Sequence, residues 1–166
     1  MKKFIKTVFL GAGLCALAQA AAHAQNGTVE IVVSSQSSEY AVEMGDTVVT
    51  ASGGNGTIAF NHGSARPFVE GANAAFRYAS FARKTPSGME FEADGVATFS
   101  NEDTLLLLFE RHAQDPGSAE EGHLRLTGGT GSFAGIEGQC NYRMNNGARV
   151  WSVFAKCEWL YSFPYR

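Results

Sequence analysis

Glu110 and His112 stand two residues apart, a spacing that puts both side chains on one face of an extended strand. A carboxylate beside an imidazole is an acid and base pair if that face lines a pocket, and a solvated strand end if it does not. Aromatic residues offer a second kind of chemistry. Tyr78, Tyr142 and Trp151 each lie in a run of alternating apolar residues. Each joins an apolar body to a polar tip, which suits them to orient a small ligand as well as to fill a core. Tyr78 shares its strand face with Phe76 and Ser80, while Arg77 points the other way. No Ser-His-Asp arrangement, Gly-x-Ser-x-Gly elbow or catalytic-cysteine context is visible. His62, His112 and His123 are scattered without ligand spacing, so no metal site is expected.

The elements that must position these residues follow a leader. Lys2, Lys3 and Lys6 make a positive start, Val8 to Ala18 an apolar centre, and Ala22-His23-Ala24 a small-x-small cleavage site. This pattern predicts a bacterial-type secretory signal peptide over residues 1–24, with the periplasm or the medium as destination. The apolar centre is shorter than the roughly 20 residues of a spanning helix, so no membrane anchor is expected. With the three lysines of the leader gone, the 13 basic residues become 10 against 16 acidic ones, a net charge near −6. That balance, with no basic run, argues against nucleic acid as a partner.

The remaining 25–166 read as one domain. Gly is abundant, at 19 residues, and charged residues make up only 17%, a combination that favours a turn-rich β protein. Apolar residues recur in short runs separated by Gly, Asn, Asp and Ser, and no stretch has the period of a long amphipathic helix. Ten extended runs are predicted: 28–34, 39–44, 47–52, 57–61, 74–81, 89–99, 104–112, 122–127, 133–143 and 149–161. Turns are expected at Gly45-Asp46, Gly53-Gly54-Asn55-Gly56, Pro86-Ser87-Gly88, Asn101-Glu102-Asp103, Asp115-Pro116-Gly117 and Asn145-Asn146-Gly147. In the last run Trp151, Val153, Ala155, Cys157, Trp159 and Tyr161 share a face that should meet the core. The run Leu105 to Phe109 is apolar on both faces, which points to burial of its outer face by a second subunit or by the chain's own loops.

Cys140 and Cys157 form an even pair in a chain bound for an oxidising compartment, and are a candidate disulfide, with two buried free thiols as the alternative. A tight turn at Asn145-Asn146-Gly147 would set Cys140 opposite a residue near Trp151 and leave Cys157 about 20 Å away at strand rise. Bonding then requires a wider loop or a barrel-closing neighbour.

Gly129-x-Gly131-x-x-Ala134 matches the spacing of a dinucleotide fingerprint, but a strand follows it where a helix must open, so no nucleotide and no other cofactor is expected. The glycines suit a sharp corner between two strands and the coiling of a small barrel. The segment Gly128-Gly129-Thr130-Gly131-Ser132-Phe133-Ala134-Gly135-Ile136-Glu137-Gly138 resembles the GGTG-x-F-x-G-x-x-G signature of the allene oxide cyclase barrel, which is related to the dirigent proteins of plants. The resemblance implies an all-β fold, a single antiparallel eight-stranded barrel, often a dimer or trimer, whose interior holds an apolar small molecule. Members of that family guide cyclisation or radical coupling chiefly by shaping a bound substrate. Three functions are then in view: binding of a small apolar or aromatic molecule, an isomerase or cyclase acting by confinement, and a structural or adhesive barrel filled by its own side chains.

Overall fold

A computed structural model describes residues 25–113, 120–147 and 150–161. Eight antiparallel strands follow one another around a closed barrel. They are β1 (Gln25–Met44), β2 (Thr47–Gly63), β3 (Asn73–Thr85), β4 (Gly88–Thr98), β5 (Thr104–Arg111), β6 (Glu121–Gly129), β7 (Ile136–Asn146) and β8 (Val150–Tyr161). Each strand pairs with the next, and β8 returns to β1. The all-β, single-barrel expectation therefore holds. The expected leader 1–24 and the Asp115-Pro116-Gly117 turn lie outside the described residues.

Ten predicted runs become eight strands because two expected interruptions are paired backbone. The polar stretch around Ser35 to Ser38 stays extended, since β2 holds it along its whole length. The glycine cluster 53–56 is no turn either. It lies within β2, where a Cβ on Gly54 would stand 1.9 Å from the Gln36 carbonyl oxygen. Glycine is required there by the close approach of two backbones.

Alternation sorts the side chains as the sequence indicates. Val29, Ile31, Val33, Phe76, Leu105, Leu107, Phe109, Leu124, Leu126, Val153 and Ala155 are buried inside, with their sequence neighbours outside. Two aromatic groups fill much of the interior. At one end Phe60, Phe68, Phe99, Phe133 and Trp159 meet ring to ring, at centroid separations as short as 4.8 Å for Phe99 and Phe133. Phe68 arrives there on the loop that follows β2, and Phe133 on a single 3-10 turn, Gly131–Phe133. The strand expected from Phe133 thus begins only at Ile136, because the turn first drives Phe133 into the barrel end. Gly131 takes φ +56°, which L side chains rarely adopt, in making that turn. The second group, Phe76, Tyr78, Phe109, Tyr142 and Trp151, packs nearer the other end.

Cys140 and Cys157 are directly opposite in the β7–β8 ladder, with Cα atoms 4.0 Å apart, and they are disulfide-bonded. The hairpin opens later than the Asn-Asn-Gly turn suggested, because β7 runs through Asn146, which pairs with Trp151. The turn is displaced along the chain and not widened, since the Gly147 N–H donates to the Val150 carbonyl at 2.7 Å, and this shift sets the two cysteines opposite each other. On the outer wall Leu106 is 39% exposed, beside Val96 on β4. The chain's own described residues therefore leave this part of the Leu105–Phe109 run uncovered.

Candidate functional site

Strands β1 and β2 outrun the barrel. The β1–β8 ladder ends at Gln36 and Val150, while β1 and β2 continue together to Met44 and Thr47. Their inward side chains, with those of β3, β4, β7 and β8, enclose an open recess of about 350 Å³ at this end. Such a volume lies within the range that holds small ligands.

One side of the recess is hydroxylic. Ser37 comes from β1, Thr50 and Ser52 from β2, and Ser80 from β3. Ser52 and Ser80 sit opposite each other in the ladder, and their Oγ atoms are hydrogen-bonded at 2.6 Å. The apolar part of the lining is Ala82, which pairs with Thr50 in the β2–β3 ladder, with Met89, Phe91 and Met144. At its base the Trp151 indole Nε1–H donates to Tyr78 Oη at 2.8 Å, and the two rings meet edge to face with centroids 4.9 Å apart. Glu39 stands exposed at the rim, and among the described residues no lysine, arginine or histidine lines the recess. The arrangement suits a neutral molecule with an apolar body and few polar groups.

Two of the three aromatic residues singled out from the sequence, Tyr78 and Trp151, come together here. Tyr142 is buried deeper, its ring 5.7 Å from that of Phe109 and its hydroxyl close over Gly122. Glu110 and His112 are elsewhere, since buried and outward residues alternate along β5 and both fall on the outward set. Glu110 accepts two hydrogen bonds from Arg125, at 2.7 and 2.9 Å. This carboxylate faces away from the recess and already serves a bidentate ion pair.

The hydroxyl wall escaped the sequence reading, apart from Ser80 on the face of Tyr78. Thr50 and Ser52 alternate correctly in their run, but their approach to Ser80 depends on a β2–β3 register that one chain segment does not reveal. Met89 and Met144 lie 55 positions apart in sequence and meet only through barrel closure.

A larger depression, of about 560 Å³, is bordered by the outward-facing Glu30, Val32, Arg143, Phe154 and Lys156. The buried Arg111 and Tyr142 also line it, and Arg111 donates to the Glu121 backbone carbonyl, while four other charges form two pairs. Lys156 lies 2.9 Å from Glu30, and its hydrogen bond holds that carboxyl below the usual glutamate range. Arg143 pairs with Glu121 at 3.2 Å. Exposed pairs of this kind contribute little to stability.

No family model matches the chain, and no curated protein matches it significantly. Solved structures do. The pterocarpan synthase dirigent protein PsPTS1 superposes with a TM-score of 0.54 at 10% identity, over 85% of this chain and 97% of that one. A second pterocarpan synthase dirigent protein, GePTS1, aligns over 95% of this chain and all of its own at 12% identity, with a TM-score of 0.49. At such identities the likeness to PsPTS1 is one of architecture, and this chain shares with it the closed eight-stranded antiparallel barrel of the dirigent proteins.

Proposed function

We propose that this protein binds a small apolar or aromatic molecule in the recess at the open end of its barrel. The observation that carries this reading is the Tyr78 and Trp151 base facing Met89, Phe91 and Met144 across an open space of about 350 Å³. Burying an aromatic ring there removes apolar surface from water on both partners, at roughly 25 cal/mol per Å². The remainder of the interior is occupied by the protein's own rings, so the ligand space is the end of the barrel and not its length. The buried disulfide supports residence in an oxidising compartment, the periplasm or the extracellular medium, in keeping with the leader expected at 1–24.

Calorimetric titration with a panel of small neutral aromatic compounds tests the reading. Binding should be saturable and should be abolished by Ala82→Trp, which fills the apolar part of the recess. Binding unaffected by that substitution would place the ligand elsewhere and refute the proposal.

A further inference from the structure

Tyr78 is the one tyrosine among the recess lining residues, and it is nine-tenths buried. Its hydroxyl accepts the Trp151 Nε1–H, because an indole nitrogen can only donate. The phenolic proton is not used in that bond. A tyrosine hydroxyl is both donor and acceptor, and among the described residues no acceptor is hydrogen-bonded to the Tyr78 proton. The Trp151 bond fixes the oxygen, and the proton has the recess as its outlet.

Leaving a buried donor unpaired is costly, and a ligand acceptor placed at the right point removes that cost. A ligand lacking that acceptor leaves the cost in place, and discrimination by unpaired polar groups is stronger than discrimination by shape. Charge narrows the class further. Glu39 stands at the rim and, among the described residues, no cationic side chain lines the recess, so a carboxylate or phosphate meets a like charge there and no counter-ion from these residues. Building on the reading above, we infer that the ligand is a neutral aromatic or apolar molecule bearing a carbonyl or ether oxygen, and that this oxygen accepts the Tyr78 hydroxyl proton at the base of the recess. The Ser52 and Ser80 pair lies on the adjoining wall and offers further hydroxyls to polar substituents nearer the rim.

Three probes of similar size separate the possibilities: acetophenone, which has the acceptor; ethylbenzene, which lacks it; and benzoate, which carries it as an anion. Dissociation constants are measured by resonance shifts of the recess amides, for the wild type and for Tyr78→Phe. The informative quantity is the ratio of the ethylbenzene to the acetophenone constant, because dividing the two variants cancels each probe's own cost of leaving water. The ratio should fall about tenfold or more on Tyr78→Phe, with ethylbenzene affinity little changed and benzoate the weakest binder in both proteins. If both neutral probes bind in the recess and the ratio does not move, Tyr78 is not the donor and the inference fails while the recess remains the site. If no probe shifts the recess residues, the functional reading fails and this inference with it. An unchanged Trp159 indole signal in Tyr78→Phe shows that the far end of the barrel has kept its structure.

Discussion

Asp103 Oδ2 accepts two hydrogen bonds from Ser132, one from the backbone N–H at 2.9 Å and one from the hydroxyl at 2.5 Å. These bonds tie the β4–β5 turn to the corner before β7, so two loops distant in sequence close the same end of the barrel. They also hold the Asp103 carboxyl below its ordinary range, with the Ser132 hydroxyl as the largest cause. A carboxyl depressed in the folded state contributes stability above its unfolded value of about 3.9, and loses that contribution as pH falls through the folded value. Wild type should therefore exceed Asp103→Asn in stability by a constant margin at neutral pH, and the margin should close in the acid range below about pH 4. Urea melts at stepped pH check this, and a margin that grew on acidification would contradict it.

The Cys140–Cys157 bond closes a sequence separation of 17. A loop of about 15 residues loses near 3 kcal/mol of unfolded-state entropy when cross-linked. The double variant Cys140→Ala, Cys157→Ala should keep the barrel and lose about 3 kcal/mol of unfolding free energy in denaturant. Because both sulfurs are buried, reduction in the folded state should be slow and should accelerate sharply where the protein begins to unfold.

Phe133 closes the far end, 4.8 Å from Phe99 and 5.7 Å from Phe68. Phe133→Ala opens a cavity among rings that the strands hold apart, and should cost about 3–5 kcal/mol by chemical denaturation. The recess lies at the opposite end, so the affinity of an aromatic ligand should change little in the surviving folded protein.

The positions the sequence revealed and those it concealed differ in what determines them. In β8 the inward order of Trp151, Val153, Ala155, Cys157 and Trp159 was legible because local alternation alone decides it. The corner at Gly131 was legible because its residue type answers a local backbone demand. The glycines at 53–56 misled because the same residue also answers a long-range demand, the approach of β1 to β2. The Cys140 and Cys157 pairing was legible as a pair but not as a cross-strand pair, since the position of the hairpin turn sets the register. The recess itself was largely hidden. Ser37, Ser52, Ser80, Met89 and Met144 are ordinary alone, and only barrel closure makes them neighbours.

Gly54 carries a direct test of how the wall of the recess is built. Gly54→Ala would place a methyl group 1.9 Å from the Gln36 carbonyl oxygen and 2.9 Å from the Tyr78 ring. Relief requires β1 and β2 to separate, at a cost of about 1–3 kcal/mol. The fluorescence of Trp151 should shift as the Tyr78 ring is displaced, whereas Thr57→Ala, at an exposed position on the same strand, should leave both stability and fluorescence near wild type.

The central claim is that the open end of the barrel is the ligand site, and the two tryptophans of the chain provide an internal comparison. Trp151 lies at the base of the recess and Trp159 in the packed far end. The most direct measurement follows both indole N–H resonances of isotope-labelled protein while a small neutral aromatic ketone is added. The Trp151 signal and the amides of Ser52, Ser80 and Met144 should move together and saturate, while the Trp159 signal stays in place. Shifts confined to Trp159, or to the outer groove around Lys156 and Arg143, would contradict the account.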